Sequence, residues 1–119
     1  MKSHKDLIVY QRSLLYVKSI YNFTQSFPID ERYGLTSQIR RAAVSIPSNI
    51  AEGAARQYNK EFIQFLYVAL GSLAEVETQI ELAFLLAFSD SIGKDELLNE
   101  NASIRRMLLK LIQSLQKNN

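Results

Sequence analysis

The apolar residues of the chain recur at helical spacing, and the most regular run lies in its third quarter. Between residues 62 and 87 the steps alternate between four and three without a break. A heptad seam of this kind is typical of a helix that packs along its whole length against other helices. We therefore predict a long helix over residues 60–88, with Asn59 as its N-cap. Its inward seam consists of Phe62, Leu66, Ala69, Leu73, Val76, Ile80, Ala83 and Ala87.

Three further segments show the period of amphipathic helices. We predict a first helix over residues 6–26, a second over about 36–56 and a fourth over 94–117. The second contains Pro47, and we predict a kink there because proline has no N–H to donate within the helix. The predicted inward residues are Leu7, Tyr10, Leu14, Val17 and Tyr21 in the first helix, Leu35, Ile39, Ala42, Ile46, Ile50 and Gly53 in the second, and Leu97, Ile104, Leu108, Leu111 and Leu115 in the fourth.

Short connections between amphipathic helices favour antiparallel packing of neighbours in the chain. The predicted fold is therefore all-α, an antiparallel up-and-down four-helix bundle in which residues 1–119 form one domain. If the second and third helices fold back on each other, and the third and fourth likewise, bases of both neighbours lie opposite the acids of the third helix. The predicted structural ion pairs join Arg40, Arg41, Arg105 and Arg106 to Glu75 and Glu77.

The third helix is apolar on more sides than a four-helix bundle buries. Between residues 62 and 74 only Gln64 and Ser72 are polar, and residues 82–88 are all apolar. A helix that is hydrophobic all round must be buried all round, and an exposed patch marks an association site. We therefore expect a homo-oligomer, unless side chains of the first helix cover this surface within one subunit. The candidate interface residues are Ile63, Tyr67, Leu70, Phe84 and Phe88.

Composition restricts the chemistry of the chain. There is no cysteine, which excludes disulfides, thiolate metal sites and cysteine nucleophiles. The one histidine, His4, has no second imidazole with which to share a metal. Glu52 and Arg56 have the i, i+4 spacing of an ordinary helix pair, so they do not indicate an acid–base couple. We predict no catalytic residue, metal, cofactor or small-molecule substrate.

The apolar run near the start is too short for a signal peptide, because Gln11 and Arg12 end it. No stretch reaches the ~18 uncharged apolar residues of a membrane span. We therefore expect a soluble, cytoplasmic protein with no membrane partner.

Charge is small in sum but uneven along the chain. The formal net charge is +2, yet residues 1–27 carry four bases and one acid, whereas residues 59–89 carry one base and four acids. This asymmetry fits self-complementary assembly or pairing between helices. Five of the basic residues outside the predicted ion pairs are candidate contacts for nucleic acid, which is the alternative partner. They are Lys5, Arg12, Lys18, Arg56 and Lys110.

Three stretches of the sequence carry a family resemblance. They are KDLIVYQRS from Lys5, FPIDERYGLTSQIRRAAVSIPSNIAEGAAR from Phe27, and EFIQFLYVALGSLAEVETQIELA from Glu61. Together they resemble the bacterial four-helix-bundle proteins encoded in the intervening sequences of 23S ribosomal RNA genes, although Tyr10 stands where tryptophan is more common. The second-helix motif is long and specific, whereas the residues after Phe84 depart more freely.

The resemblance implies an up-and-down four-helix subunit, a ring-like homopentamer and no enzyme chemistry. The chain is also distantly similar to the accessory protein of diversity-generating retroelements, which binds nucleic acid and a reverse transcriptase through a basic surface. Two functions are therefore expected as alternatives. The first is a non-enzymatic oligomeric scaffold or interaction protein, and the second is a nucleic-acid-binding accessory factor that uses the basic surfaces of a ring-like homo-oligomer.

Overall fold

The structure is a computed structural model that describes residues 3–118. Its helices are α1 (Ile8–Thr24), α2 (Leu35–Ala54), α3 (Asn59–Leu85) and α4 (Ser91–Lys117), and short 3₁₀ turns occupy His4–Asp6 and Ile29–Glu31. No strand occurs in this part of the chain. The prediction of an all-α four-helix fold is confirmed.

Each helix packs against its neighbours in the chain, and α1 closes the bundle by packing against α4. Consecutive helices run in opposite directions, so α1 and α3 occupy diagonal corners. The molecule measures 46 × 24 × 20 Å, as expected for helices of 27 residues laid side by side. One continuous apolar core runs through all four helices.

The seam of α3 is buried as predicted from Phe62 to Ala83, but the helix ends earlier than residue 88. Ala87 has φ of 65°, the left-handed conformation that terminates a helix. The N–H of Phe88 donates to the carbonyl of Ala83 (2.8 Å), and the N–H of Ala87 donates to that of Phe84 (3.0 Å). These two bonds form a Schellman motif, which turns Ala87 out into solvent and corrects its predicted inward position.

The buried face of α1 differs from the predicted one. Three of the predicted inward residues, Leu7, Tyr10 and Val17, are half-buried and pack against the core, whereas Leu14 and Tyr21 are 46% and 41% exposed. The fully buried face consists of Val9, Ser13, Tyr16, Ile20 and Thr24. Hydroxyl groups could be buried here because the helix itself accepts their hydrogen bonds. Ser13 Oγ donates to the carbonyl of Tyr10 (2.7 Å), and Thr24 Oγ1 donates to that of Ile20 (2.9 Å). Helix α1 carries apolar residues on several of its own sides. The helical spacing of these residues therefore indicated the side that faces α2 as the buried one.

In α2 the predicted seam is buried from Ile39 to Gly53, and Leu35 is half-buried. The helix starts at Leu35, one residue before the predicted start, because the carboxylate of Glu31 accepts from the N–H of Leu35 (3.0 Å). Pro47 lies within an unbroken helical segment, and the kink stays a prediction.

The packing of α2 on α3 is close because Gly53 has no side chain. A Cβ at this position would lie 2.7 Å from the Cβ of Phe65 and 2.9 Å from Cδ1 of Phe62. Ser45 Oγ also donates to Ser72 Oγ across the same contact, which sets the register of the two helices near that predicted for antiparallel neighbours.

Helix α4 begins at Ser91, three residues before the predicted start. Asp90 is the reason, because its carboxylate accepts from the N–H of Gly93 (2.8 Å) and so caps the first turn. Leu97, Ile104 and Leu108 are buried as predicted, whereas the other two predicted inward residues, Leu111 and Leu115, are half-buried.

Candidate functional site

A buried polar network joins three helices at the middle of the bundle. Asn101 Nδ2 donates to the hydroxyl of Tyr16 (3.1 Å) and to the carbonyl of Leu73 (3.0 Å). The hydroxyl of Tyr16 in turn donates to the carbonyl of Leu97 (3.2 Å). Burial raises the pKa of Tyr16 above its ordinary value, so the phenol stays neutral. This network was not predicted from the sequence, although Asn101 is a polar residue within the apolar stripe of α4.

Arg105 closes the network at the surface. Its guanidinium donates to Asn101 Oδ1 (2.9 Å) and to Glu77 Oε1 (3.1 Å), so the structure forms one of the predicted ion pairs. Every group of this network has a protein partner, and no polar atom is left aimed at a ligand. The network therefore has the properties of a structural clamp, not of a catalytic centre.

The other predicted ion pairs, those of Arg40, Arg41 and Arg106, are not formed among the described residues. Arg40 Nε donates to Thr24 Oγ1 (2.8 Å), and its guanidinium lies 4.6 Å from the ring centre of Tyr21. Arg40 is therefore directed at α1 and not at Glu75, because it lies on the α1 side of α2 while Ser45 lies on the α3 side. Arg41, Arg106 and Glu75 are exposed and form no ion pair among residues 3–118.

Two of the candidate nucleic-acid contacts are occupied by acids. Arg12 donates to Glu100 through Nε (2.9 Å) and Nη2, and these charged hydrogen bonds raise the pKa of Arg12. Arg56 lies 3.7 Å from Glu52 and stacks over Phe65. The remaining three bases are exposed on separate elements, so the structure does not gather the predicted set into one surface. They are Lys5, Lys18 and Lys110.

The candidate interface residues divide into covered and exposed groups. Ile63 and Leu70 are half-buried and pack against the core, and the ring of Phe88 lies 5.6 Å from that of Phe27. Tyr67 remains 53% exposed. Phe84 is 37% exposed, with Lys94 Nζ 4.4 Å from its ring centre. The chain therefore covers part of the predicted patch with its own side chains.

A second stripe of α3 faces outward, opposite the core seam. We name it the α3 outer row, and it consists of Tyr67, Gly71, Glu75, Thr78, Leu82 and Leu85. These residues are three or four positions apart, all are exposed, and five of the six are uncharged. Leu85 alone is 77% exposed. Leu82 and Leu85 lie in the apolar stretch identified from sequence, although neither was among the interface residues predicted from it.

The cavity between α1 and α4, of about 390 Å³, contains two carboxylates, those of Glu96 and Glu100, but Arg12 neutralises the second. In the part of the chain that the structure describes, no three acidic or histidine side chains are close enough to hold a metal ion. Among the same residues, no helix is both long and apolar enough to cross a membrane.

Comparison with known proteins gives two findings. The family model of the 23S rRNA-intervening sequence protein matches residues 5–110. Among solved structures, the chain is similar to a protein with unknown function from the S23 ribosomal protein family of Bacteroides thetaiotaomicron VPI-5482. The TM-score is 0.77 at 26% identity, and the match covers 88% of this chain and 98% of that one. No curated protein matches the chain.

Proposed function

Because the chain belongs to the family of 23S rRNA-intervening sequence proteins, we propose that it is a non-enzymatic interaction protein that works as a homo-oligomer. In this proposal the α3 outer row forms the contact between copies, and the assembly resides in the cytoplasm. The observation that carries the proposal is an exposed row with a single charged residue, Glu75, on a helix whose opposite face already fills the core.

Gly71 at the centre of this row supports a contact with another molecule. A Cβ built at Gly71 would meet nothing within 4 Å, so no packing inside the subunit requires glycine there. Glycine in the interior of a helix costs about 0.5–1 kcal/mol relative to alanine. A flat position of this kind allows the backbone of a neighbouring helix to approach closely. Gly53 differs, because Phe62 and Phe65 of the same chain fill the space beside it.

The distribution of charge favours a second copy as the occupant. Three glutamates of α3, Glu61, Glu75 and Glu81, have no ion-pair partner among the described residues. In contrast, α1 contains no acid, and its Lys18 is exposed and also has no ion-pair partner among these residues. These helices lie at diagonal corners, so one subunit presents opposite charge on opposite sides. The outer side of α1 also exposes Ile8 (66%) and Leu15 (62%), which offer apolar area to a partner. Such a subunit is suited to head-to-tail contacts, which close into a ring when the rotation allows.

The pairing of the polar groups in the central network supports a role without catalysis. Tyr16, Asn101 and Arg105 bond to one another and to the backbone, and their arrangement leaves no base beside an accessible nucleophile. The ring-like homopentamer implied by the family resemblance is one closed form of the head-to-tail contact proposed here.

The proposal is tested by measuring the native mass by light scattering at micromolar concentration. We expect a whole-number multiple of the subunit mass of 13.6 kDa. Gly71→Arg should reduce this mass, because a long cation would then stand where a basic neighbour must approach. The same change leaves the fold intact, since the space around Gly71 is open.

Asn99→Arg is the matched control, because it adds the same charge at an exposed position of α4. This variant should keep the native mass of the unmodified protein. A mass of 13.6 kDa for the unmodified protein would overturn the homo-oligomer. An oligomer that survives Gly71→Arg would remove the α3 outer row from the contact.

A further inference from the structure

Three arginines converge on one cavity where the end of α1 meets the start of α2. The cavity has a volume of about 370 Å³ and is lined by Tyr21, Arg32, Thr36, Ser37, Arg40, Arg41 and Val44. None of the three arginines forms an ion pair within the part of the chain described here. We propose that this arginine cavity binds the phosphodiester backbone of a single-stranded nucleic acid.

Arg40 is held in place before any ligand arrives. Its Nε donates to Thr24 Oγ1, one Nη2 hydrogen points to the carbonyl of Tyr21 (3.4 Å), and its plane lies over the ring of Tyr21. A guanidinium has five N–H donors, so these contacts leave donors available on the same group. Fixing the side chain in advance removes part of the entropy cost of binding, and the planar fork matches two phosphate oxygens.

The other groups around Arg40 add positive potential and hydrogen-bonding capacity. Arg41 and Arg32 are exposed. Thr36 is buried and the hydroxyl of Ser37 already donates to the carbonyl of Gly34 (3.2 Å), so the arginines supply the free donors. The carboxylate of Glu31 caps the first turn of α2 by accepting from the N–H of Leu35 (3.0 Å), so the positive end of this helix is already partly neutralised. Glu31 does not line the cavity.

The surface beyond the arginines favours a nucleic acid over a small anion. The arginine cavity shares one lining residue, Val44, with a second cavity of about 310 Å³ in the groove between α1 and α2. Apolar residues line most of this groove, among them Leu14, Val17 and Pro47. Proteins that bind single strands combine a basic track for the backbone with aromatic side chains on which the bases stack. Tyr10 lines the second cavity and Tyr21 the arginine cavity. The two cavities provide these features side by side.

These arginines were not among the predicted nucleic-acid contacts. Arg40 and Arg41 were expected to pair with Glu75, and Arg32 was not among the candidate residues. Packing in the bundle turns Arg40 towards Thr24 of α1 and away from Glu75, so the three arginines of the cavity have no acidic partner. The inference does not depend on the α3 outer row, which lies on a different helix from every residue of the arginine cavity.

The test measures binding of a labelled oligouridylate of about 12 nucleotides by fluorescence anisotropy, in salt from about 50 to 200 mM. We compare the unmodified protein with Arg32→Ala/Arg41→Ala. Losing two phosphate contacts should weaken binding at least about tenfold and make the slope of log K against log salt shallower by about 1.4. The matched control is Arg106→Ala/Lys117→Ala, which removes the same charge from exposed positions of α4 and should bind as the unmodified protein does.

Four results would overturn the inference. The first is no binding by the unmodified protein at about 50 mM salt. The second is equal weakening by the two double variants, which indicates a diffuse field. The third is equal affinity for inorganic triphosphate, because the site would then recognise phosphate without the rest of the strand. The fourth is a lower native mass for Arg32→Ala/Arg41→Ala, which would place these arginines in the contact between copies.

Arg40→Lys provides a further check on the arrangement itself. It keeps the charge but loses the planar fork, so binding should weaken while the salt dependence stays nearly that of the unmodified protein. Unchanged affinity in this variant would contradict a positioned guanidinium. Circular dichroism and the urea midpoint of each variant establish that the compared proteins are folded.

Discussion

Asn101 of α4 and Tyr16 of α1 are joined by a hydrogen bond of 3.1 Å across the buried centre of the bundle. Both side chains are about 1% exposed, so neither can exchange this bond for one to water. The same amide group also holds the backbone of α3 through the carbonyl of Leu73. One polar residue therefore joins three helices in a core that is largely apolar.

Replacing Asn101 with leucine should destabilise the protein by about 1–3 kcal/mol. The change removes a side-chain donor from the carbonyl of Leu73 and from the buried hydroxyl of Tyr16, and it removes an acceptor from Arg105. Urea denaturation measures this loss as a lower midpoint. Tyr16→Phe is the milder comparison at about 1 kcal/mol, because Asn101 then keeps its bond to Leu73. Equal stability of Asn101→Leu and the unmodified protein would contradict the structural role of the network.

Stability should fall in alkaline solution because of Tyr16. Burial raises the pKa of Tyr16 above its ordinary value, so this phenol ionises more easily in the unfolded chain than in the folded one. Its contribution is therefore complete below the ordinary tyrosine pKa of about 10 and is lost progressively as the pH rises above it. The midpoint of urea unfolding measured from about pH 8 to 11 detects this loss. In Tyr16→Phe the fall should be smaller, and an identical fall in both proteins would show that Tyr16 does not cause it.

Ala87→Gly should stabilise the protein by about 1 kcal/mol. Ala87 adopts φ of 65° at the position of the Schellman motif where glycine is preferred, because a Cβ is strained in the left-handed region. Thermal unfolding followed by circular dichroism provides the measurement. Ala74→Gly is the matched control, since it makes the same change at an exposed position inside α3 and should cost about 0.5–1 kcal/mol. A loss of stability in both variants would contradict the conformation assigned to Ala87.

Gly53→Ala should destabilise the bundle by about 1–3 kcal/mol, because the new Cβ would lie 2.7 Å from Cβ of Phe65. The atom it meets, Cβ of Phe65, is bonded directly to the backbone of α3 and cannot rotate away. The clash is therefore relieved only when the two helices move apart. Chemical denaturation measures the effect. The comparison with Gly71→Ala is informative because that Cβ meets nothing within 4 Å of the same chain. A Gly53→Ala protein as stable as the unmodified one would show that the two helices can separate without cost.

The regular parts of the fold were predictable from sequence because they depend on local spacing. The seam of α3 from Phe62 to Ala83 and that of α2 from Ile39 to Gly53 are buried as their periods indicate. The inner face of α1 was not, since Ser13 and Thr24 are polar by composition yet hydrogen-bond to their own helix. Hydrophobic period ranks residues by side-chain type and does not register a hydroxyl that is already satisfied.

The candidate surfaces required more than sequence. Ideal antiparallel register brings Arg105 to Glu77, and this pair is formed. The same reasoning directed Arg40 at Glu75, but the rotation of α2 about its axis turns that side chain towards Thr24. A register argument determines which residues lie level with one another. It does not determine which side of the helix each residue occupies once the apolar faces have packed.

The sequence by itself determined the all-α class, the four helices and the excess of apolar residues on α3, because these follow from composition and from spacing within a single segment. Tertiary structure alone decided which part of that excess stays exposed as the α3 outer row and which bases remain without an acid. The physical reason is that exposure and pairing depend on the rotation and approach of several helices at once. Gly53 and Gly71 illustrate this, since the same residue type is packed against Phe65 in one place and open to solvent in the other.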